Sequence, residues 1–245
     1  MQLFYSKDIS SSGFCTLDAE ESRHAVRVLR MREGDTIHVT DGQGHLYQCR
    51  ILQTNDRACI VEPFQETAHE DGATRKETFH EMSLQLAVAP TKNPSRMEWL
   101  VEKAVEIGVG EITLLQCDHS ERSFLKTERL EKIAVSAMKQ SLHLTLPRIN
   151  GAVSLSEWLS SNHRSSQRFI AHCEADKPRT PLGAALKPGQ DTVVLIGPEG
   201  DFSEEEIVLA MECGFQPVSL GPSRLRTETA ALYAVTAFNL INDCP

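Results

Sequence analysis

From residue 82 onward, short apolar segments alternate with longer amphipathic segments, and this alternation constrains the fold more than any other feature of the sequence. Strands are predicted at residues 83–89, 111–117, 168–173, 191–197 and 216–220. Helices are predicted at residues 94–107, 127–142, 154–162, 203–214 and 228–242. Strands that alternate with helices are typical of an α/β domain around a mostly parallel sheet. Ligands bind such sheets beyond the carboxyl ends of the strands, so we expect a site there.

Helix-capping residues support two of these boundaries. Asn93 is placed to cap the first helix, Pro94 suits its first position, and Gly108 suits its end. Ser203 and Glu206 match a capping box at the start of the fourth helix.

The first 64 residues have a different pattern, which predicts a small β-barrel module with one short helix at residues 18–31. The predicted strands are TIHVTD (36–41), HLYQCRIL (45–52) and ACIVEPF (58–64). A hairpin turn is predicted at Gly42-Gln43-Gly44. The polar segment at residues 65–78 is the candidate linker, and we divide the chain into domains of residues 1–72 and 73–245.

Composition excludes several classes of protein. No apolar run approaches the ~18 residues of a membrane helix, and the N-terminus lacks the pattern of a signal peptide, so we expect a soluble, cytoplasmic protein without a membrane partner. The seven cysteines include no CxxC pair and the nine histidines show no ligand spacing, so we expect no metal. The net charge of −9 means that any RNA site requires a local basic patch. GxxxxGK(S/T), GxGxxG, HExxH and GxSxG are all absent.

Two Gly-Pro pairs follow successive strands of the predicted sheet. Gly197-Pro198 and Gly221-Pro222 lie 24 residues apart. In the first loop, Gly197 and Gly200 permit positive φ, and backbone groups there can bind the edge of a flat heterocycle. A turn without a ligand explains either loop alone, because glycine and proline are common turn residues. Two such loops on neighbouring strands favour a binding site.

Cationic residues also follow predicted strands. Arg224 and Arg226 precede Thr227, a predicted helix cap, in the second loop. Lys92 and Arg122 follow the first two strands of the C-terminal domain. These positions predict positive charge at the same edge of the sheet.

Four arginines in the N-terminal domain form the candidate basic patch. Arg23, Arg27 and Arg30 have the spacing of one helix face, and Arg32 lies just beyond. Such a stripe can bind phosphates and position a nucleic acid. The alternative is a solvated face paired with the neighbouring glutamates.

The last helix is apolar around most of its circumference. Residues 230–235 carry only one polar group, the hydroxyl of Tyr233. Such a helix must be buried on more than one side, either at the centre of the monomer or between its own sheet and a partner. We favour a homodimer.

Four stretches together resemble the bacterial 16S ribosomal RNA (uracil-N3) methyltransferase family, which belongs to the SPOUT class. They are HAVRVLRMREGD, APTKNPSRMEWLVEKAVEIGV, LIGPEGDFSEEE and LGPSRLRTETAAL. The resemblance covers nearly the whole chain and implies an N-terminal PUA-like β-barrel and a C-terminal α/β domain with a deep trefoil knot. It also implies S-adenosylmethionine as cofactor, 16S rRNA of the small ribosomal subunit as substrate, and a homodimer.

The resemblance also implies roles for individual residues. Arg226 and Glu228 would lie nearest the transferred methyl group, and Arg122 would lie near the substrate. The cofactor pocket would be lined by Leu195, Ile196, Gly197, Glu199, Gly200, Leu220, Gly221, Leu225, Arg226 and Thr227. RNA would be bound by Arg23, Arg27, Arg30, Arg32, Lys92 and Arg122.

The chain departs from the family pattern at two places. Asp201 stands where the family often has a second glycine after GPEG, and Leu142-His143 stand where it often has arginine. The second departure removes one expected RNA contact.

Chemistry at uridine N3 requires loss of its proton. Arg226 or Arg122 could stabilise negative charge on the uracil oxygens, and Glu228 could accept the proton. The alternatives are a SPOUT enzyme with a different RNA target and a non-catalytic RNA-binding ribosome-assembly factor.

Overall fold

The computed structural model describes residues 1–67, 83–121, 126–161, 165–174 and 178–242. Contacts between Cα atoms divide the chain into two compact units. One is made of Met1–Thr78 with Val135–Leu146, and the other of Phe79–Ala134 with Pro147–Pro245. The predicted boundary between residues 72 and 73 lies outside the described residues and stays a prediction.

The N-terminal unit contains a five-stranded mixed sheet. Its strands are β1 (Leu3–Tyr5), β2 (Cys15–Thr16), β3 (Thr36–Thr40), β4 (Leu46–Gln53) and β5 (Ile60–Thr67), in the order β1-β3-β4-β5-β2. β1 and β3 pair in parallel, and the other neighbours pair in antiparallel. The predicted hairpin is confirmed, because β3 and β4 pair on either side of Gly42 and Gly44, which both have positive φ. β1 and β2 are too short to give a strand pattern in the sequence.

The helix predicted at residues 18–31 is shorter and changes type. α1 covers Ala19–Arg23, and a π-helical turn follows at His24–Val28. Arg30 then takes a φ of 57°, in the left-handed region that interrupts a helix. The prediction that three arginines share one helix face is therefore wrong at Arg30, because the wider turn and the left-handed residue break the 3.6-residue repeat.

The stretch Val135–Leu146 belongs to the N-terminal unit although it lies far along the chain. The carbonyl oxygen of Leu144 accepts a hydrogen bond of 3.1 Å from the buried hydroxyl of Thr40. The N–H of Leu146 donates to the carbonyl oxygen of Gly42 at 2.8 Å. No feature of the sequence predicted that this stretch would complete the N-terminal unit.

The C-terminal unit is built on a seven-stranded parallel sheet, as the alternating pattern predicted. The strands are β6 (Leu84–Val88), β7 (Glu111–Gln116), β8 (Arg148–Ser154), β9 (Gln167–Ala171), β10 (Thr180–Pro181), β11 (Thr192–Ile196) and β12 (Gln216–Ser219). Their order is β10-β12-β9-β11-β6-β7-β8. β8 was not predicted, because Asn150-Gly151 within it has the composition of a turn.

Helices follow most of these strands. They are α2 (Pro94–Ile107), α3 (Thr127–Gln140), α4 (Leu155–Ser160), α5 (Leu182–Ala185), α6 (Glu204–Glu212) and α7 (Thr227–Asn242). The capping predictions are confirmed, since Asn93 caps α2, Gly108 ends it in a left-handed conformation, and Ser203 with Glu206 forms a capping box on α6. None of the described helices has the length and apolar run that a membrane span requires.

The last helix, α7, buries one side within the chain and exposes another. Ala231, Ala234 and Val235 are fully buried, whereas Tyr233 is 43% and Leu240 is 65% exposed. One chain therefore covers α7 on only part of its circumference. The trefoil knot that the resemblance implies stays a prediction.

Three neighbouring strands bring the predicted loops together. In the register of the sheet, Ala171 at the end of β9 lies opposite Ile196 at the end of β11 and opposite Val218 in β12. The segments that follow these three strands therefore meet at one edge of the sheet.

Candidate active site

A cavity of about 330 Å³ lies at this edge of the C-terminal sheet. It is formed by the segments that follow β9, β11 and β12 and by the first turn of α7. Its volume is at the lower end of the range of roughly 300–1,000 Å³ that is typical of small-molecule sites. The strand-end rule therefore predicted the location of the site.

Eight of the ten predicted cofactor residues line the cavity. They are Ile196, Gly197, Glu199, Leu220, Gly221, Leu225, Arg226 and Thr227. The other two do not line it: Leu195 is fully buried in the core of the sheet, and Gly200 is exposed and lies against His119. Both Gly-Pro loops thus contribute to one cavity.

The hydroxyl of Thr227 connects the two loops. It donates a buried hydrogen bond of 3.1 Å to the carbonyl oxygen of Gly197. α7 begins at Thr227 itself. The prediction that Thr227 caps this helix was therefore wrong, because its side chain bonds to the other loop.

The glycines of the first loop are required for space, and the predicted positive φ is found one residue later. Among the described residues with positive φ is Asp201, at 66°, whereas Gly197 and Gly200 are not among them. A Cβ atom at Gly197 would lie 3.1 Å from the ring of Phe202, and one at Gly200 would lie 3.0 Å from the Cβ of His119. Larger residues at either glycine would displace the loop.

A polar network connects the first loop to the segment after β7. The N–H of Asp118 donates to Glu206 Oε1 at 2.9 Å, and Ser203 Oγ donates to Asp118 Oδ2 at 2.7 Å. Burial raises the pKa of Glu206 above its usual range, and hydrogen bonds from Ser203 and Asp118 oppose that rise. The capping box of α6 therefore also positions the segment after β7.

Lys92 contacts two carboxylates. Its backbone N–H donates to Glu199 Oε1 at 3.0 Å, and its Nζ lies 2.7 Å from Glu121 Oε2. The ammonium group remains exposed. Arg122, which follows Glu121, lies outside the described residues.

The two residues predicted nearest the methyl group have different surroundings. The exposed side chain of Arg226 lines the cavity. The carboxylate of Glu228 is not among the groups lining the cavity and is only 6% exposed. Its Oε1 lies 3.7 Å from Nη1 of Arg96, and its Oε2 has no hydrogen-bond partner among the described residues. The roles of both residues stay predictions.

Several cavity residues were missed by the sequence analysis. They include Ala171, Cys173, Arg179, Val218 and Ser223. Ala171 and Cys173 could have been found, because Ala171 ends β9 and Cys173 follows it, at the edge where ligands are expected. Arg179 belongs to no motif. Burial raises the pKa of the Cys173 thiol, so it is not an activated thiolate.

The described residues contain no group of three or more side chains suited to hold a metal ion. The cavity instead combines apolar side chains, loop backbone and arginines. Apolar walls with a few polar groups are typical of sites for organic ligands.

A family model described as an RNA methyltransferase domain matches residues 79–239, and one described as an RNA methyltransferase PUA domain matches residues 17–64. This chain belongs to the RNA methyltransferase family. The two matches account for both units of this RNA methyltransferase.

Known relatives of this RNA methyltransferase cover nearly its whole length. The ribosomal RNA small subunit methyltransferase E of Synechocystis sp. is 31% identical, over 92% of this chain and 73% of the relative. A probable rRNA-methyltransferase from Porphyromonas gingivalis is 40% identical, with a TM-score of 0.88 over 100% of this chain and 99% of that one. A ribosomal RNA small subunit methyltransferase E from Neisseria gonorrhoeae, bound to S-adenosyl methionine, is 26% identical, with a TM-score of 0.80 over 100% of both chains.

The PUA-matching unit of this RNA methyltransferase carries the four predicted RNA-binding arginines on its surface. Arg23, Arg27, Arg30 and Arg32 are all exposed. Arg27 forms an ion pair with Asp56, and the other three form no ion pair among the described residues.

The predicted alternative, pairing of these arginines with the neighbouring glutamates, is wrong for Glu21. This glutamate is buried and its carboxylate accepts from Nζ of Lys139, within the same unit. Glu21 is therefore the partner of a lysine and not of these arginines.

Proposed function

We propose that this RNA methyltransferase transfers a methyl group from S-adenosylmethionine to N3 of a uridine in 16S rRNA. The observation that carries the proposal is the single cavity formed by both Gly-Pro loops, with Arg226 in its wall. Relatives named as ribosomal RNA small subunit methyltransferases, one of them bound to S-adenosyl methionine, support the substrate and the cofactor.

The lining of the cavity fits S-adenosylmethionine. Ile196, Leu220 and Leu225 supply apolar surface for a flat base, and the loop backbone supplies hydrogen-bonding groups along its edge. Glu199 supplies a carboxylate for hydroxyl or amino groups. When bound, S-adenosylmethionine supplies an activated methyl group on a sulfonium.

The residues around the cavity must orient the uridine and favour loss of its N3 proton. Orientation alone contributes a large part of the rate when the reacting atoms are held in line. We assign the stabilisation of negative charge on the uracil oxygens to Arg226, with Arg122 as a second cation. Glu228 is the candidate proton acceptor, because its Oε2 has no hydrogen-bond partner among the described residues. Since its carboxylate does not line the cavity, a water must relay the proton or the loops must move.

We assign RNA contacts to Arg23, Arg27, Arg30 and Arg32 in the N-terminal unit and, separately, to Lys92 and Arg122 in the C-terminal unit. Arginines contact phosphates without selecting a sequence, so these residues would position the small subunit. The target base must leave its stack to reach the cavity, which suits a single-stranded rRNA site. The protein would act in the cytoplasm, where ribosomal subunits are found.

We further propose that the protein is a homodimer of the SPOUT class with a C-terminal trefoil knot. The support for a dimer is the exposed side of α7, where Tyr233 and Leu240 share a face with Thr236. α2 packs beside α7 and exposes Trp99. A second copy of the chain would cover this apolar surface.

The test is a methylation assay on small ribosomal subunits that lack the modification of the decoding region. The subunits are incubated with the protein and labelled S-adenosylmethionine, and the digested RNA is analysed by mass spectrometry. We expect labelled 3-methyluridine. A different methylated nucleoside would show that the enzyme modifies another base. If the protein binds no S-adenosylmethionine, it would be an RNA-binding assembly factor instead.

A further inference from the structure

Asp201 connects three segments around the cavity. Its N–H donates to the carbonyl oxygen of Pro198 at 3.0 Å, which closes the turn of the first Gly-Pro loop. Its carbonyl oxygen lies 3.1 Å from Nδ1 of His119, in the segment after β7. Its carboxylate accepts from the N–H of Phe202 at 2.9 Å and from the N–H of Cys173, after β9, at 2.6 Å.

The peptide group between His172 and Cys173 is held at both of its polar ends. Its N–H donates to Asp201 Oδ2, and its carbonyl oxygen accepts from Nη1 of Arg179 at 2.5 Å. Both charged side chains line the cavity, as do the two residues that share the peptide. Hydrogen bonds to charged groups are about twice as strong as neutral ones, so this peptide has one fixed orientation.

The backbone at residue 201 makes this arrangement informative. A φ of 66° is unfavourable for most side chains, and glycine adopts it without strain. A glycine at this position would satisfy the backbone but could not reach Cys173. Aspartate tolerates this φ better than most residues and, unlike glycine, supplies a carboxylate to the peptide.

We propose that Asp201 and Arg179 are positioning residues that fix the His172–Cys173 peptide as one wall of the cofactor cavity. The inference rests on the proposed function, since it takes the cavity to be the S-adenosylmethionine site. A wall held in its bound orientation loses less conformational freedom when the ligand binds, so affinity rises. The N–H of the peptide is engaged by Asp201 and its carbonyl oxygen accepts from Arg179, so the wall contributes a fixed shape to the cavity.

The experiment measures the Kd of S-adenosylmethionine by calorimetry for the unaltered protein and four variants, together with thermal unfolding without ligand. Asp201→Gly and Arg179→Met should each raise the Kd roughly 5- to 30-fold, the loss of one charge-assisted hydrogen bond. The double variant, Asp201→Gly with Arg179→Met, should raise the Kd by less than the product of the two single fold-changes, because both residues act on one peptide. Asp201→Asn should recover part of the affinity, since asparagine accepts one hydrogen bond and tolerates the left-handed region.

The matched control is Asp191→Gly at the opposite end of β11. The carboxylate of Asp191 also accepts from a backbone N–H, that of Ser83, at 2.7 Å. This variant should lose stability and keep its Kd, whereas Asp201→Gly should keep most of its stability because glycine suits the φ there.

A Kd for Asp201→Gly equal to that of the unaltered protein would overturn the inference while leaving the proposed function standing. So would an equal loss of affinity in Asp191→Gly. If Asp201→Gly does not fold, Asp201→Asn and Arg179→Met carry the same comparison. Failure of the unaltered protein to bind S-adenosylmethionine would overturn the proposed function and this inference with it.

Discussion

At the scale of single residues, Arg226 supplies the clearest test of the chemistry. Its guanidinium lines the cavity, and the proposed reaction develops negative charge on the uracil oxygens. Replacing Arg226 by alanine should lower turnover by roughly 100- to 1,000-fold, the usual effect of removing one group aimed at developing charge. Turnover is measured on small subunits at saturating S-adenosylmethionine, and the Kd of the cofactor should change far less.

Arg129→Ala is the matched control for this variant. Arg129 is an exposed arginine of the same unit that forms an ion pair with Glu98. Its loss should leave turnover unchanged, because exposed ion pairs contribute little. Near-normal turnover in Arg226→Ala would show that another cation stabilises the charge on the uracil oxygens.

The residues of the cavity could be predicted only in part from the sequence. The loops at 197–203 and 220–230 were predicted, because glycine, proline and arginine at the carboxyl ends of parallel strands are typical of ligand-binding loops. Arg179 could not be predicted, because it reaches the cavity through the fold rather than through a motif. The loop conformation was also assigned to the wrong residues, since Gly197 and Gly200 are needed for close packing and Asp201 takes the positive φ.

At the scale of single elements, α6 tests how much its capping box contributes. Ser203 accepts from the N–H of Glu206 at 3.2 Å and also donates to Asp118. Replacing Ser203 by alanine should lower the free energy of unfolding by about 1 kcal/mol for the cap and roughly 1 kcal/mol more for the second hydrogen bond. Urea unfolding measures the loss.

Ser154→Ala supplies the comparison for a cap whose hydroxyl has no bond to a carboxylate. Ser154 caps α4 through the N–H of Glu157, also at 3.2 Å, and its hydroxyl has one longer contact besides, 3.4 Å to the hydroxyl of Ser156. Ser154→Ala should therefore lower the free energy of unfolding only by the contribution of the cap, about 1 kcal/mol. Equal losses in the two variants would show that the bond to Asp118 contributes nothing to stability.

The buried ion pair between Lys139 and Glu21 gives a prediction with a defined pH dependence. The Lys139 side chain is 21% exposed and that of Glu21 only 4%. Burial raises the pKa of Glu21, and hydrogen bonding and attraction by Lys139 oppose that rise. Lys139→Met should therefore lower the free energy of unfolding at neutral pH by roughly 3 kcal/mol, because it leaves a buried carboxylate unpaired.

The sign of the pH effect follows from the raised pKa. A carboxyl group with a raised pKa binds its proton more tightly in the folded state than in the unfolded state. The folded protein therefore loses stability as the pH rises above 4.5, the usual pKa of such a group. The deficit of Lys139→Met should therefore shrink toward pH 4.5, as urea unfolding across this range would reveal. A deficit that does not depend on pH would exclude the unpaired carboxylate as its cause.

Element boundaries were predicted best where caps and periodicity agree. α2 begins after Asn93 and ends before Gly108, as both residues indicate. β8 and β10 were missed because their residues lack the apolar run of a buried strand, and their place in the sheet depends on neighbours that the sequence does not identify.

At the scale of the whole molecule, the exposed side of α7 predicts self-association. Leu240→Glu should place a charge on the proposed contact and convert the dimer to a monomer of 27.3 kDa. Light scattering after gel filtration measures the mass. Leu52→Glu, at an exposed leucine of the N-terminal unit, should leave the dimer intact. An unaltered protein that is already a monomer would rule out the proposed dimer.

The two-part organisation could be predicted from the change in pattern along the chain, but the contribution of Val135–Leu146 to the N-terminal unit could not. Its contacts include hydrogen bonds of the backbone groups of Leu144 and Leu146, which have no sequence signature, and the ion pair between Lys139 and Glu21, whose partners are distant in sequence.

That contribution limits how the N-terminal unit can be moved or inherited. A gene fragment ending near residue 72 would lack the stretch that bonds to Thr40 and Gly42, so the N-terminal unit is not encoded by the first part of the gene alone. Recombination at the linker would separate partners that are distant in sequence. The two parts of the gene are therefore expected to be inherited together. Chimaeras that exchange only the first part should be insoluble unless residues 135–146 are exchanged with it.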